Sequence, residues 1–180
     1  MRFLLLLCAV LLFSACEKET AQEKSSATTE ISTPKSPKSA QTKFILEDMN
    51  GTAIELELKD ETLKASVDKP LTLLFFYTDW CPSCQAQTPE LERLYQRFGE
   101  DLFIIGLPLE PSKKRTTFFS SASIDQNNEL AKRIYTKVRA GANMPIPLLL
   151  LLKDGKYFSH YVGAVPYEIL ESDIKRAKGE

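Results

Sequence analysis

Cys81 and Cys84 stand three residues apart in Trp80-Cys81-Pro82-Ser83-Cys84, a spacing used for dithiol–disulfide exchange, zinc ligation and covalent haem attachment. Zinc needs four ligands, usually two such pairs or one pair with added histidines. This chain has one histidine, His160, and no second close cysteine pair. Haem attachment needs a histidine directly after the second cysteine, where Gln85 stands. No metal site and no cofactor is expected. A redox-active dithiol and an inert structural disulfide remain, and the surrounding elements favour the first.

The run Leu71-Thr72-Leu73-Leu74-Phe75-Phe76-Tyr77 is apolar without polar alternation, which predicts a strand covered on both faces. After the cysteines, Leu91, Leu94, Tyr95 and Phe98 recur at helical spacing, predicting a helix over about 82–98. The cysteines therefore straddle the first turn of a helix, with both sulfurs at the same end, close enough to form a disulfide and break it again. Only a thiolate attacks a disulfide efficiently, and the free N–H groups and dipole of a helix N-terminus lower a thiol pKa. Cys81 is thus the expected nucleophile. Pro82 suits the first helical position, where its missing N–H costs nothing. Cys84, one turn deeper, is placed to resolve a mixed disulfide.

The other two cysteines bear on compartment. Met1-Arg2 and the apolar residues 3–13 make a segment of about a dozen residues, short of the roughly 20 needed to span a bilayer but suited to a signal peptide. It ends in Phe13-Ser14-Ala15-Cys16, which resembles the lipobox of bacterial lipoproteins, with Phe13 where leucine is usual. The resemblance implies a signal peptide over 1–15, discarded with Cys8, and acylation of Cys16. An ordinary secretory signal cleaved nearby is the alternative. Residues 17–42 are Ser, Thr, Lys, Glu, Gln and Ala with Pro34, Pro37 and a single large apolar residue, Ile31, too polar to offset the entropy of ordering. Residues 16–42 are therefore expected to form a lipidated, disordered tether reaching roughly 25–30 Å on average. Cys81 and Cys84 would be the remaining thiols. The expected location is the bacterial cell envelope, facing the periplasm and anchored in the lipid bilayer through Cys16. The net charge is −1, and Lys113-Lys114-Arg115 is a single basic triplet, so no nucleic-acid partner is expected.

Residues 43–180 have the length of one domain with a substantial core. Residues 44–49 and 52–58 flank Asn50-Gly51, predicting a tight β-hairpin. A second buried strand is expected over 102–107, a helix over 125–139 with Asp125 as N-cap and Leu130, Ile134 and Val138 on one face, and a strand over 148–152. A turn at Lys153-Asp154-Gly155-Lys156 leads into a strand over 157–162, and a last helix covers 167–177. The stretch 110–123 is polar and carries no clear pattern. The order predicts an α/β fold: a mixed central sheet with helices on both faces, plus an N-terminal β-hairpin.

Phe76-Tyr77-Thr78-Asp79-Trp80-Cys81-Pro82-Ser83-Cys84, Pro89, Ile146-Pro147, Lys153-Asp154-Gly155 and Val162-Gly163-Ala164 together resemble the thioredoxin fold. More closely, they resemble the membrane-anchored TlpA/ResA/CcmG-type thioredoxins of bacterial envelopes. The resemblance implies a cis proline facing the cysteines, placed at Pro147 with Pro145 as its neighbour-rival; a plain strand-starting proline is the bland reading of either. A cis Pro147 would leave the backbone of Ile146 free to pair with an extended substrate peptide. Trp80 would shield one side of the cysteine pair, or serve as a core aromatic. Pro89 would kink the active-site helix or mark its boundary. The buried aspartate of thioredoxin aligns with Phe75, so its proton relay must be absent or taken over by another group. The implied activity is that of an envelope thiol:disulfide oxidoreductase reducing protein disulfides, those of apocytochrome c among the candidates, with electrons from a membrane donor of DsbD or CcdA type. The alternatives are a disulfide-introducing oxidase and a redox-silent binding or chaperone module. A peroxidase is disfavoured, since no Thr and Arg pocket lies near Cys81 in sequence.

Overall fold

The computed structural model of the protein describes residues 42–138 and 144–180; the expected signal peptide, Cys8, Cys16 and the tether up to residue 41 lie outside the described residues. Eight strands form one sheet. In chain order they are β1 (Thr42–Glu47), β2 (Ala53–Lys59), β3 (Thr62–Ala65), β4 (Leu71–Tyr77), β5 (Leu102–Pro108), β6 (Phe119–Ser120), β7 (Leu148–Lys153) and β8 (Lys156–Val162). The helices are α1 (Pro82–Phe98), α2 (Ile124–Val138) and α3 (Tyr167–Lys178). The spatial order is β1-β2-β3-β8-β7-β4-β5-β6. β4 runs parallel to β5 and antiparallel to β7, so the strand leading into the cysteines lies deep in a mixed sheet.

Alternate residues of β4 point to opposite faces, as the pleat requires. Leu71, Leu73, Phe75 and Tyr77 pack with Leu91, Leu94 and Phe98 of α1 and Leu170, Ile174 and Ala177 of α3. Leu74 and Phe76 pack with Leu130, Ala131 and Ile134 of α2 and with the hairpin residues Phe44, Leu46, Ile54 and Leu56. Helices therefore cover both faces, which is why the run 71–77 carries no polar alternation. Among the described residues no helix is long and apolar enough to cross a membrane.

Two local details differ from expectation. The first hairpin exists, but its turn is wider than a two-residue Asn-Gly turn: Glu47 pairs with Ala53, and Gly51 N donates to Asp48 O at 3.1 Å. Gly51 has positive φ (81°) and Asn50 does not, the pattern of a type I turn closed by a left-handed glycine. The Asp48 carboxylate accepts from the N–H groups of Asn50 and Thr52 (both 2.8 Å), holding its pKa below the ordinary carboxylate value. Second, α2 begins at Ile124, so Asp125 sits in its first turn rather than at the cap, where it still faces the positive helix end. Leu130 and Ile134 are buried as expected; the side chain of Val138 and all of Arg139 lie outside the described residues. Of the two readings of Pro89, the one inside the helix holds, since it lies within α1 and not at its boundary.

The turn between β7 and β8 places Asp154 at φ 50° and Gly155 at φ 76°. A Cβ on Gly155 would come within 2.8 Å of Leu63 O, where β3 meets this hairpin through Thr62 and Lys156. Gly155→Ala is expected to destabilise the domain by about 2 kcal/mol, from the left-handed backbone and that clash. Urea unfolding of the variant beside the parent protein reads the loss directly, and an unchanged midpoint would count against it.

Candidate active site

β4 delivers the chain to the edge of the core at Tyr77, and Thr78, Asp79 and Trp80 turn it into α1. Cys81 is the N-cap, with extended backbone (φ −79°, ψ 113°) and Pro82 at the start of the helix. Its carbonyl accepts the first helical bond, from Gln85 N at 3.0 Å. Its sulfur accepts from Cys84 N at 3.2 Å, so one of the otherwise unpartnered N–H groups of the helix end points at Sγ. Cys81 and Cys84 are joined as a disulfide with Cα atoms 5.2 Å apart. They are 5% and 1% exposed, with Cys84 the deeper.

Other parts of the fold converge on this turn. The peptide bond Ile146–Pro147 is cis, and no cis bond occurs at Pro145. Pro147 is buried, and its carbonyl accepts from Gly163 N at 3.0 Å. Ile146 packs against the cluster that contains both cysteines. Among the described residues its backbone N–H and C=O have no backbone partner. Trp80 is not a core aromatic: it is 64% exposed, and its Nε1 donates to Glu110 Oε2 at 3.0 Å.

Sequence reasoning assigned nothing to residues 110–118, yet this stretch straps the active-site turn in place. Besides Trp80–Glu110, Ser112 Oγ donates to Asp79 Oδ1 (2.7 Å) and Lys114 Nζ donates to Thr88 Oγ1 (2.7 Å). No periodicity announces such a segment, because its bonds are made by single polar side chains. Gln87 was also missed. It is fully buried, donates to Val165 O (3.3 Å) and accepts from Val165 N (2.6 Å), clamping the loop before α3 onto α1. The available signal was its position: 84, 87, 91, 94 and 98 form the buried stripe of α1, so a glutamine at 87 had to find partners inside.

Beneath the pair, Phe75 is 1% exposed and stacks on Tyr77, with centroids 4.7 Å apart. Tyr77 OH shares a hydrogen bond with Ser120 Oγ (3.0 Å), and burial pushes the phenol pKa up. The Thr78 hydroxyl is buried without a partner among the described residues. No group of three or more metal-ligating side chains occurs among the described residues. His160 lies on β8, bonded through Nδ1 to Tyr157 OH at 2.7 Å.

A buried pair of cysteines on the first turn of a helix, at the end of a central strand and beside a cis proline, defines a thiol:disulfide oxidoreductase site. Residues 55–176 match the family described as Thioredoxin, and the chain belongs to it. It is 28% identical to thioredoxin of Bacillus subtilis over 117 residues, covering 65% of this chain and 91% of that one. It is 29% identical over 104 residues to a thiol:disulfide interchange protein TxlA homolog of Synechocystis, covering 57% of this chain and 47% of the homolog. Among solved structures, StoA of Bacillus subtilis aligns with a TM-score of 0.53 at 18% identity, covering 76% of this chain and 99% of StoA. A thiol:disulfide interchange protein DsbE of Chlorobium tepidum aligns at 0.54 and 18%, covering 78% and 96%. These two structural likenesses bear on the fold, which extends past the thioredoxin core to take in the N-terminal strands.

Proposed function

We propose that this protein reduces specific protein disulfides in the bacterial envelope, facing the periplasm and held to a membrane through acylated Cys16. The observation that carries the reading is Cys81 at the N-cap of α1, its sulfur on the Cys84 N–H, with the backbone of Ile146, which has no backbone partner among the described residues, alongside. In the reduced protein the Cys81 thiolate attacks one sulfur of a substrate disulfide. A mixed disulfide forms and the substrate's other sulfur leaves as a thiolate, taking a proton from water. Cys84 then loses its proton and attacks Cys81 Sγ. The Cys81–Cys84 bond forms, the second substrate sulfur leaves, and the protein is oxidised by two electrons as the substrate is reduced. Ile146 would pair with the substrate backbone as an added strand, with Pro147 fixing its direction and Trp80 forming the exposed wall. Apocytochrome c is the favoured substrate, and a membrane donor of DsbD or CcdA type would restore the dithiol. Pro82-Ser83 between the cysteines supports this direction, since it lacks the histidine that stabilises the reduced form in strongly oxidising relatives.

The test is the reduction potential of the pair, measured in dithiothreitol or glutathione buffers on the full chain carrying Cys8→Ser and Cys16→Ser. A value at or below about −270 mV, the level of thioredoxin, is expected; a value near about −120 mV would overturn the reductant reading and make the protein a disulfide-introducing oxidase.

A further inference from the structure

We propose that Lys114 is the group that makes Cys84 reactive, holding a positive charge against the first turns of α1 in place of an acid beneath the cysteines. The inference rests on the dithiol chemistry proposed above and assigns how its second step is driven.

Cys84 is 1% exposed, and burial among apolar groups raises a thiol pKa and slows thiolate formation. The strand position beneath it carries Phe75, which neither accepts a proton nor stabilises a charge. Lys114 Nζ donates to Thr88 Oγ1 at 2.7 Å, and Thr88 Oγ1 in turn donates to Cys84 O at 3.1 Å. Cys81, Cys84 and Thr88 lie at i, i+3 and i+7, one face of the helix, and Thr88 is 5% exposed. The ammonium therefore stands two hydrogen bonds from the backbone of the resolving cysteine, on the sulfur-bearing face.

Among the described residues no carboxylate pairs with this ammonium directly. Lys114 belongs to none of the ion pairs among the described residues. The two acids of the neighbouring segments, Asp79 and Glu110, keep their charge but are aimed at neutral donors, Ser112 and Trp80, rather than at the ammonium. Lys114 N also bonds Ser112 Oγ at 3.1 Å, which fixes the base of its side chain to the active-site turn. The other titratable or charged groups on elements packed around the pair are few. They are Tyr77 on β4, Tyr95 and the Glu90–Arg93 pair on α1, Tyr161 on β8, and Tyr167 and Asp173 on α3. Tyr77 and Tyr161 are held protonated by burial. Arg93 lies over the Tyr167 ring at 4.1 Å, and Asp173 bonds Tyr161 and Arg176.

Lys114 acts electrostatically and keeps its proton throughout. Cys84 releases its proton to water, the thiolate is stabilised by the nearby cation, and its attack on Cys81 Sγ expels the substrate thiolate, which is protonated by water. Lys114 is a positioning residue for charge and touches no reacting sulfur.

The experiment is a stopped-flow reaction of the reduced full chain, with Cys8 and Cys16 replaced by serine, with the disulfide reagent DTNB from pH 5 to 10. The first thionitrobenzoate released reports attack by Cys81 and the second reports attack by Cys84. Lys114→Gln keeps a hydrogen-bond donor for Thr88 but removes the charge. It is expected to raise the pH midpoint of the second phase by about one unit and slow that phase about tenfold at pH 7. Lys114→Arg should restore the parent profile. A Gln variant that releases both equivalents with the parent midpoint overturns the proposal, as does an Arg variant shifted as far as Gln. If Lys114→Gln fails to fold, Thr88→Val must shift the same midpoint upward, and an unshifted midpoint there overturns it too. Failure of the parent protein to release any thionitrobenzoate would sink the dithiol reading itself, independently of Lys114.

Discussion

Cys84→Ser is expected to turn the protein into a covalent trap, while Cys81→Ser abolishes reaction with disulfides. The two cysteines differ in what surrounds them. Cys81 caps α1, where the Cys84 N–H already points at its sulfur at 3.2 Å and the positive helix end favours the thiolate. Serine there presents a hydroxyl that does not ionise in this range and cannot form a disulfide. The rate of reaction with a protein disulfide should fall by a factor on the order of 10³ or more, the scale seen when a covalent nucleophile is removed. Serine at 84 leaves the first attack intact and removes the second. The mixed disulfide at Cys81 then persists, and non-reducing gel electrophoresis followed by mass spectrometry should find Cys81 bonded to substrate. The opposite distribution, with adducts accumulating on Cys84 in the Cys81→Ser variant, would reverse the assignment of nucleophile and resolving thiol. Neither change should unfold the domain, because the apolar cores on both faces of the sheet are otherwise untouched and a loop of three residues closed by a disulfide restrains little of the unfolded chain.

The second large effect lies beneath the pair. Phe75→Asp places a carboxylate where thioredoxin has one, yet here it is expected to destabilise strongly. The Phe75 ring is 1% exposed and stacked on Tyr77, so its loss alone costs about 3–5 kcal/mol. The carboxyl is also forced to protonate in the apolar core, raising its folded pKa above the unfolded value of about 3.9. The native state then binds more protons than the unfolded state between those two values, so stability falls as pH rises through that window. A rise of two units makes the variant about 2 kcal/mol worse, relative to the parent, at pH 7 than at pH 4. Urea denaturation of both proteins at the two pH values measures this difference, with Phe75→Leu as a control that carries no pH dependence. An equal deficit at both pH values would mean that a cation reaches position 75 and pairs with the new acid.

Much of the fold was legible because it follows from local rules. β4, β5 and β7 announce themselves as unbroken apolar runs, since helices cover both faces of the sheet. α1 and α3 show helical spacing, and Asp154-Gly155 supplies two left-handed residues to a two-residue turn. The elements that escaped are those held by distant partners. β3 has four residues with no turn glycine before it; Asp60 takes positive φ (55°) instead, and only pairing with β2 and β8 keeps the segment extended. β6 is two residues long and exists because Gly106 lets it approach β5: a Cβ there would stand 3.2 Å from both Phe118 and Ser120. The width of the first hairpin turn was decided by the Asp48 carboxylate capturing two backbone N–H groups, which competes with the tighter Asn-Gly turn.

The same division runs through the site. The family resemblance pointed to Phe75 as the place of thioredoxin's buried acid, while residue types and spacing alone determined that Cys81 and Cys84 share the first turn of a helix and that zinc and haem lack their usual ligands. Those conclusions need only helix periodicity and ligand counting, both of which are local. The resemblance placed the cis bond at Pro147, where the structure has it; only the tertiary structure decided that Trp80 stands in solvent with its indole on Glu110, that Gln87 clamps the loop before α3, and that Lys114 reaches Thr88 beside Cys84. Each of these joins residues between 26 and 78 positions apart, and a single polar side chain carries no periodic signal of where the packed chain will bring it.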